Sequence, residues 1–213
     1  MILPYSVQVI EIRPGSPADA QAIAQVRRAS WRAAYDGIIA APIIDRATAT
    51  SGTIASPPPY RRTLVALAGD HPAVIGYASY GPERTVASVF PARPAPAPAP
   101  AGPQAHPSAA DPLTPAGRAG AAGELYALYV TPAWWSAGAG RALMGSVLTA
   151  LEAERYRRVV LWVLADNARA RRFYELAGFA SDGGTNILTG LGGVLEVRYS
   201  RALTRASSGS PDV

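Results

Sequence analysis

Residues 124–143 contain the feature that most constrains the fold: a short apolar strand, a glycine turn and a helix in direct succession. Residues 125–130 form an aromatic and branched apolar run typical of a strand, and Pro132 ends the ladder because proline has no amide donor. From Gly138 the apolar residues recur at helical intervals, so we expect a helix to begin at the glycines. Amides at a helix start lack internal partners, which makes this junction a predicted anion-binding site.

Two common nucleotide-binding motifs fit this junction poorly. A mononucleotide P-loop requires a lysine after its glycines, and the chain contains no lysine. A dinucleotide-binding turn requires three glycines in the first strand–helix unit. Here Ser136, Gly138 and Gly140 are spaced two apart, and more than half of the chain precedes them. The dinucleotide interpretation is therefore weak.

Two motifs, one before and one after the apolar run at residues 159–164, indicate a ligand other than a mononucleotide or a dinucleotide. The first strand ends in Val130-Thr131-Pro132, and residues 135–140 then read Trp-Ser-Ala-Gly-Ala-Gly. Residues 167–179 read Asn-Ala-Arg-Ala-Arg-Arg-Phe-Tyr-Glu-Leu-Ala-Gly-Phe. In this order and separation the two motifs resemble the acyl-CoA signatures of the GNAT acetyltransferase superfamily. Trp135 departs from the pattern, because the family usually has Gln or Arg there, and Arg141 is close enough to supply charge instead.

The resemblance implies an α/β fold, the GNAT fold, with a mixed central sheet of about six to seven strands flanked by about four helices. We expect residues 1–203 to form a single domain and residues 204–213 to be a disordered tail. A Pro/Ala-rich insertion at residues 91–120 interrupts the domain, and its nine prolines between Pro91 and Pro115 favour polyproline II or a disordered loop. A passive spacer and a partner-docking segment are both compatible with that composition.

The periodicity of apolar residues predicts the remaining elements. Strands are expected at residues 7–13, 63–68, 73–80, 159–164, 185–188 and 194–200. One helix is expected to begin at a cap on Ser16 or Asp19 and to end at about residue 35. Two more are expected at residues 42–50 and at about residues 167–177.

The resemblance also implies two catalytic residues. Glu124 stands six residues before Val130, where some histone-type members of the family keep a glutamate base, and it would remove a proton from the amine. Tyr174 matches the family position of a general acid, and a phenol with a pKa of about 10 is protonated at neutral pH. The structural alternatives are a solvated glutamate at the strand start and a helix tyrosine packed beside Phe173.

Acetyl-CoA is the cosubstrate that the resemblance implies. The backbone of Leu128, Tyr129 and Val130 is expected to pair with its pantetheine arm. The phosphate cradle would comprise Ser136, Ala137, Gly138, Ala139, Gly140 and Arg141. Asn167 would bond the pantetheine arm, cap its own helix, or do both. Trp31 and Tyr35 resemble a Trp-x-x-x-Tyr-x-Gly segment at the acceptor end of many GNAT proteins, although ordinary helix packing explains them equally well.

These observations predict an N-acetyltransferase that moves an acetyl group directly to a primary amine, with a non-catalytic acyl-CoA-binding or sensory module as the alternative. No metal is expected, since the chain has no cysteine and His71 and His106 lie in turn and linker contexts. Nucleic acid is not an expected partner, because the arginines behind the net charge of +5 are scattered. No run reaches the ~20 apolar residues of a membrane helix. We expect a cytoplasmic protein, and a homodimer is left open.

Overall fold

The computed structural model of the protein describes residues 9–49, 58–69, 73–84 and 121–203. In these ranges a seven-stranded sheet is flanked by four helices, which confirms the expected GNAT-type mixed architecture. The strands are β1 (Ile10–Pro14), β2 (Arg62–Ala68), β3 (Ala73–Pro82), β4 (Ala122–Val130), β5 (Arg158–Leu164), β6 (Ala180–Leu188) and β7 (Val194–Ala202). The helices are α1 (Ala20–Ala34), α2 (Ala41–Thr48), α3 (Ala139–Ala153) and α4 (Ala168–Leu176).

The sheet has the strand order β1-β2-β3-β4-β5-β7-β6, and only the central neighbours β4 and β5 run parallel. Their pairing ends at Leu125 and Leu161, although β4 continues to Val130. The two strands therefore separate, and a gap opens in the middle of the sheet.

Alternating residues of β2 show that the helices cover opposite faces of the sheet. Ala66 and Ala68 pack in the cluster that contains the apolar stripe of α3, whereas Val65 and Leu67 pack against α1. Helix α4 joins the α3 side through Tyr174. Helix α2 lies beside α1 and packs toward β5 and β6. We call the two sides the α3 face and the α1 face.

A β-bulge in β4 lies close to the gap. Ser79 of β3 pairs with Ala127, but the next residue of β3 pairs with Leu125, so Tyr126 is the extra residue. Its hydroxyl donates a hydrogen bond to the carbonyl of Pro82 at 2.6 Å. A Cβ at Gly81 would lie 2.7 Å from that hydroxyl oxygen, so the bulge requires glycine there.

Two strands begin earlier than the sequence pattern predicts. Strand β6 begins at Ala180, because Gly183 (φ +85°) lies in a bulge within the strand and does not end it. Strand β4 begins at Ala122, because Gly123 lets its backbone approach α3. A Cβ at Gly123 would lie 2.7 Å from the side chain of Leu151.

Several predictions fall on residues that the structure does not describe. These are the insertion at residues 91–120, the tail at residues 204–213, and His71 and His106, so the single-domain organisation stays a prediction. Within the described ranges, no helix combines the length and hydropathy needed to span a membrane. In the same ranges, no group of three or more His, Asp or Glu side chains could hold a metal ion.

A buried carboxylate fixes the start of α1. Asp19 accepts hydrogen bonds from the amide of Ser16 at 2.7 Å and from its hydroxyl at 2.9 Å. Arg13 donates two further bonds, each 2.8 Å long. The hydrogen bonds from Arg13 are the largest cause that holds the pKa of Asp19 well below its usual range. The charged carboxylate therefore ties β1 to α1.

We expect Asp19→Asn to lower the free energy of unfolding by about 1–2 kcal/mol at pH 7, because a helix cap and an ion pair are lost. Since the folded-state pKa is depressed, this stabilisation exists above the ordinary Asp pKa of about 4 and is lost as pH falls. Urea unfolding at pH 7 and pH 3 should show a smaller difference at pH 3. Asp45→Asn, which breaks an exposed pair with Arg32, is the control, with an expected effect below about 0.5 kcal/mol. An equal cost for Asp19→Asn at both pH values would contradict the assignment.

Candidate active site

A cleft with a volume of about 700 Å³ lies at the gap between β4 and β5. At one end it reaches the turn before α3 and the start of α4, and at the other it reaches α1, β6 and β7. Its volume falls within the range of small-molecule sites, roughly 300–1,000 Å³. The cleft brings together residues from both predicted motifs.

The glycine turn leads directly into α3, as the sequence predicts. Gly138 is the N-cap residue and has a left-handed backbone with φ +98°. The amide of Ala142 donates to the carbonyl of Gly138 at 3.0 Å, so the amides of Ala139, Gly140 and Arg141 precede the helical ladder. These amides and the helix dipole make this end of the cleft suitable for an anion.

Trp135 organises the turn in place of a charged residue. Its indole N–H donates to the carbonyl of Val130 at 2.7 Å, and the hydroxyl of Ser30 donates to the same carbonyl at 2.9 Å. The guanidinium carbon of Arg169 lies 3.7 Å from the centre of the Trp135 ring. Arg169 and the predicted Arg141 are both exposed and line the cleft. Arg169 was not among the residues predicted to bind the cofactor, and its contact with Trp135 joins the two motifs.

Every second residue of β4 directs its backbone N–H and C=O groups toward the gap. The amide of Thr131 donates to Ile75 of β3 at 2.8 Å, so alternate residues of β4 bond to β3. By this alternation the backbone groups of Leu128 and Val130 point away from β3, where β5 no longer pairs with them. Tyr129 directs its backbone toward β3, and its side chain lines the cleft. Of the three residues predicted here, two therefore present backbone groups to the gap.

Tyr174 belongs to α4 and lines the cleft. Its ring packs edge-on against Phe173 and Phe179, at centroid distances of 5.4 and 6.1 Å. Burial is the main cause that raises the pKa of the Tyr174 phenol. Among the described residues, no group forms a hydrogen bond with its hydroxyl. The predicted acid is thus held protonated, and its hydroxyl remains available.

Asn167 performs the capping role that the sequence allows. Its Oδ1 accepts a hydrogen bond from the amide of Ala170 at 3.0 Å and so begins α4. The side chain also lines the cleft. Its Nδ2 forms no hydrogen bond within the described chain, so one donor of Asn167 can still face a ligand.

Glu124 lies in the cleft wall, where only 1 % of its surface is exposed. Its Oε2 accepts the amide of Arg84 at 2.8 Å, and both oxygens accept from the Arg84 guanidinium. That guanidinium lies 4.2 Å from the centre of the Tyr126 ring. Glu124 is therefore not a solvated residue at a strand end, and Arg84 occupies both of its oxygens.

Trp31 and Tyr35 line the cleft and pack at the same time. Their ring centroids are 5.1 Å apart, and the Tyr129 ring lies 6.4 Å from Trp31. The hydroxyl oxygens of Tyr35 and Tyr129 are 3.4 Å apart. Burial raises the pKa of both phenols. Ordinary helix packing and a position at the acceptor end of the cleft are therefore compatible for Trp31 and Tyr35.

Glu196 of β7 and Asn186 of β6 also line the cleft, and the sequence interpretation missed both. Asn186 Nδ2 donates to Glu196 Oε2 at 3.2 Å. Burial is the largest cause that raises the pKa of Glu196. Strand alternation places Glu196 and Val194 on one face, but the sequence gives no sign that this face borders the gap.

A model of the acetyltransferase (GNAT) family matches residues 23–179, which is more than half of the chain. The chain belongs to this family. Its sheet, its four helices and the cleft at the β4–β5 gap thus form a GNAT fold.

Two solved GNAT structures illustrate the fold similarity. The PaiA N-acetyltransferase from Thermoplasma acidophilum, in complex with coenzyme A, superimposes with a TM-score of 0.62 at 18 % identity, over 89 % of this chain and 98 % of that one. The ribosomal-protein-S18-alanine N-acetyltransferase from Escherichia coli gives a TM-score of 0.58 at 14 % identity, over 95 % and 99 % of the two chains. At these identities the similarity shows the fold alone.

One curated relative is similar in sequence over a shorter segment. The mycothiol acetyltransferase of Beutenbergia cavernae is 48 % identical over 59 residues. The match covers 28 % of this chain and spans a fifth of the length of that relative. It supports an acetyltransferase relationship over that segment.

We expect Glu124 and Arg84 to be strongly coupled in stability. Glu124→Gln leaves the Arg84 guanidinium without its charged partner and should cost about 2–3 kcal/mol of unfolding free energy. The double variant Glu124→Gln/Arg84→Gln should cost less than the sum of the two single variants. Urea unfolding of the four proteins measures this difference. Additive costs would show that the pair does not act as a unit.

Proposed function

We propose that the protein is an N-acetyltransferase that moves an acetyl group from acetyl-CoA directly to a primary amine. The observation that carries the proposal is one continuous cleft that contains the left-handed glycine turn, the unpaired edge of β4 and the hydroxyl of Tyr174. Membership of the GNAT family supports the reaction type. The coenzyme A complex of the PaiA protein supports the choice of cosubstrate.

The residues of the cleft fit acetyl-CoA in charge and in backbone chemistry. The amides of Gly140 and Arg141, which line the cleft, suit a pyrophosphate, and the guanidinium groups of Arg141 and Arg169 add positive charge. Amide groups of a pantetheine arm suit the free backbone of β4 at Leu128. When bound, acetyl-CoA would supply the acetyl group as a reactive thioester.

Two glycines of α3 provide a matched test of cosubstrate binding. Gly140→Ala places a methyl group at ordinary contact distance from the Phe173 ring, 3.4 Å, so the fold should be retained. Because Gly140 lines the cleft at the helix start, the same methyl group would narrow the space beside its amide, and we expect the Kd for coenzyme A to rise by about threefold. Isothermal titration calorimetry measures this change.

Gly145→Ala is the control for that measurement. Its Cβ meets no atom within 4 Å, and the residue is exposed in the same helix. We expect unchanged coenzyme A affinity and a stability gain of about 0.5–1 kcal/mol. Wild-type affinity in Gly140→Ala would count against phosphate binding at this turn.

Acetyl transfer to an amine needs a proton acceptor for the amine and a proton donor for the departing sulfur. Tyr174 is the proposed donor, because burial keeps its phenol protonated and no described residue bonds its hydroxyl. Glu124 is the base that the family motif suggests. A proton can reach its oxygens only if the pair with Arg84 opens.

We expect Tyr174→Phe to lower kcat by about 10²–10⁴-fold, which is the usual contribution of a general acid. Affinity for coenzyme A should stay within about twofold of wild type, since only one hydroxyl is removed from a ring that keeps its packing. Steady-state release of free coenzyme A measures turnover. Tyr80→Phe is the control: Tyr80 is buried in the same apolar cluster and does not line the cleft. A kcat equal to wild type in Tyr174→Phe would remove the tyrosine from the mechanism.

The alternative function is a GNAT-fold module that binds acyl-CoA without turnover. A panel of amines, including polyamines, amino acids, antibiotic amines and peptide N-termini, tests the two functions in one assay. Coenzyme A release that depends on an amine supports the enzyme. Coenzyme A binding without release on any amine supports the module, and no binding at millimolar coenzyme A would contradict both.

A further inference from the structure

Glu196 occupies a distinctive position beside the gap in the sheet. It pairs with Leu164 at the end of β5, three residues beyond the point where β4 and β5 separate. Both residues line the cleft. The carboxylate is therefore held by a strand of the sheet at the end of the cleft where α1, β6 and β7 meet.

The hydrogen bonds of Glu196 differ from those of Glu124. Asn186 bonds Oε2 of Glu196, and no described residue donates a hydrogen bond to Oε1. No arginine within the described ranges forms an ion pair with Glu196, whereas Arg84 bonds both oxygens of Glu124. Of the two carboxylates that the described residues contribute to the cleft wall, only Glu196 has an oxygen free to meet a ligand.

The surroundings of Glu196 favour a cation. The titratable and charged groups that face it are Arg84, Glu124, Tyr35 and Tyr129. Arg198, two residues along the same face of β7, is paired with Asp182 and Glu83. The charges of Arg84 and Glu124 cancel, so the carboxylate of Glu196 leaves this end of the cleft with one negative charge. The rings of Trp31, Tyr35, Tyr129 and Trp162 also line the cleft. A carboxylate among aromatic rings suits an alkylammonium group, since ring faces attract cations.

We propose that Glu196 binds the ammonium group of the acceptor and takes its proton, and that the acceptor is an alkylamine without a carboxylate on the carbon beside the nitrogen. This inference rests on the proposed acetyl transfer. A carboxylate beside the amine would place a second negative charge next to Glu196, and the nearby Arg84 is already engaged by Glu124. The acceptor class is therefore a cationic amine such as an arylalkylamine or a diamine.

The proton transfers balance with the residues present. Glu196 takes one proton from the ammonium group and becomes a neutral carboxylic acid. The amine nitrogen then forms a bond to the thioester carbon, and the carbon–sulfur bond breaks. Tyr174 gives its proton to the departing sulfur and takes the remaining surplus proton from the new amide nitrogen. Glu196 returns its proton to solvent, so one acetylated amine, one coenzyme A thiol and one proton are produced.

The pH dependence of kcat/KM tests Glu196 directly. Wild type should bind the ammonium form and show a plateau, with an acidic limb where Glu196 becomes protonated. Because burial raises the pKa of Glu196, that limb should lie above the ordinary Glu pKa of about 4.3. Glu196→Gln should lose about 10²–10⁴-fold in kcat/KM at neutral pH. Its residual activity should rise about tenfold per pH unit with the free-amine fraction up to the amine pKa near 10.

Three controls make the result specific. Glu152→Gln, an exposed glutamate of α3 outside the cleft, should leave kcat/KM and its pH profile unchanged. Glu196→Asp should keep the acidic limb at a reduced rate, because it retains a carboxylate. Coenzyme A affinity of both Glu196 variants, measured by calorimetry, should stay within about twofold of wild type, because the carboxylate lies at the acceptor end.

Matched acceptor pairs test the substrate class without any variant. We expect phenethylamine to exceed phenylalanine, and tyramine to exceed tyrosine, by at least about 10²-fold in kcat/KM, as like charges repel in a partly buried site. Equal rates within each pair would overturn the acceptor class. Wild-type kcat/KM and pH profile in Glu196→Gln would overturn the role of Glu196 alone. Coenzyme A binding with no turnover of any amine by the wild-type protein would overturn the acetyl transfer itself, and the role of Glu196 with it.

Discussion

The separation of β4 from β5 is the constraint on which the cleft depends. Polar groups of a buried backbone require hydrogen-bond partners, and a central strand normally finds them on both sides. Past Leu125, β4 keeps its partners on β3 and loses those on β5. The fold therefore places unpaired backbone groups in its interior. A ligand or solvent must meet them, so the cleft lies inside the sheet and not at its edge.

Charge is distributed unequally along this cleft. Near the glycine turn, the helix start and the guanidinium groups of Arg141 and Arg169 give a positive end. At the opposite end, Arg84 is neutralised by Glu124, and the carboxylate of Glu196 remains. Such a gradient suits two reactants of opposite charge, with the anionic one oriented by the turn and the cationic one drawn to the far end.

The parts of the structure encoded by neighbouring residues could be predicted from the sequence. The strand–turn–helix junction at Gly138 and the helix capped by Asn167 depend on local chemistry, and both are found where the pattern indicates. The start of β6 was predicted too late, because glycines in a bulge have the same composition as glycines in a turn. Local signals therefore define elements better than they define strand limits.

The partners across the sheet could not be predicted. Arg84 lies 40 residues before Glu124, and the intervening segment carries no sign that the two meet. Glu196 reaches the cleft only because β7 inserts between β5 and β6. The motif position of Glu124 suggested a base, but its contact with Arg84 is a property of the folded chain. Residues whose roles depend on strand order need the structure.

The two hydrogen bonds donated to the Val130 carbonyl, by Ser30 and by Trp135, make the open edge of β4 chemically asymmetric. Both lone pairs of that oxygen are used. Between Leu128 and Val130 the edge thus offers two N–H donors and a single acceptor. A ligand lying along this edge would satisfy all three groups only if it carried two acceptors on either side of one donor. The polarity required of such a ligand thus follows from one saturated carbonyl oxygen.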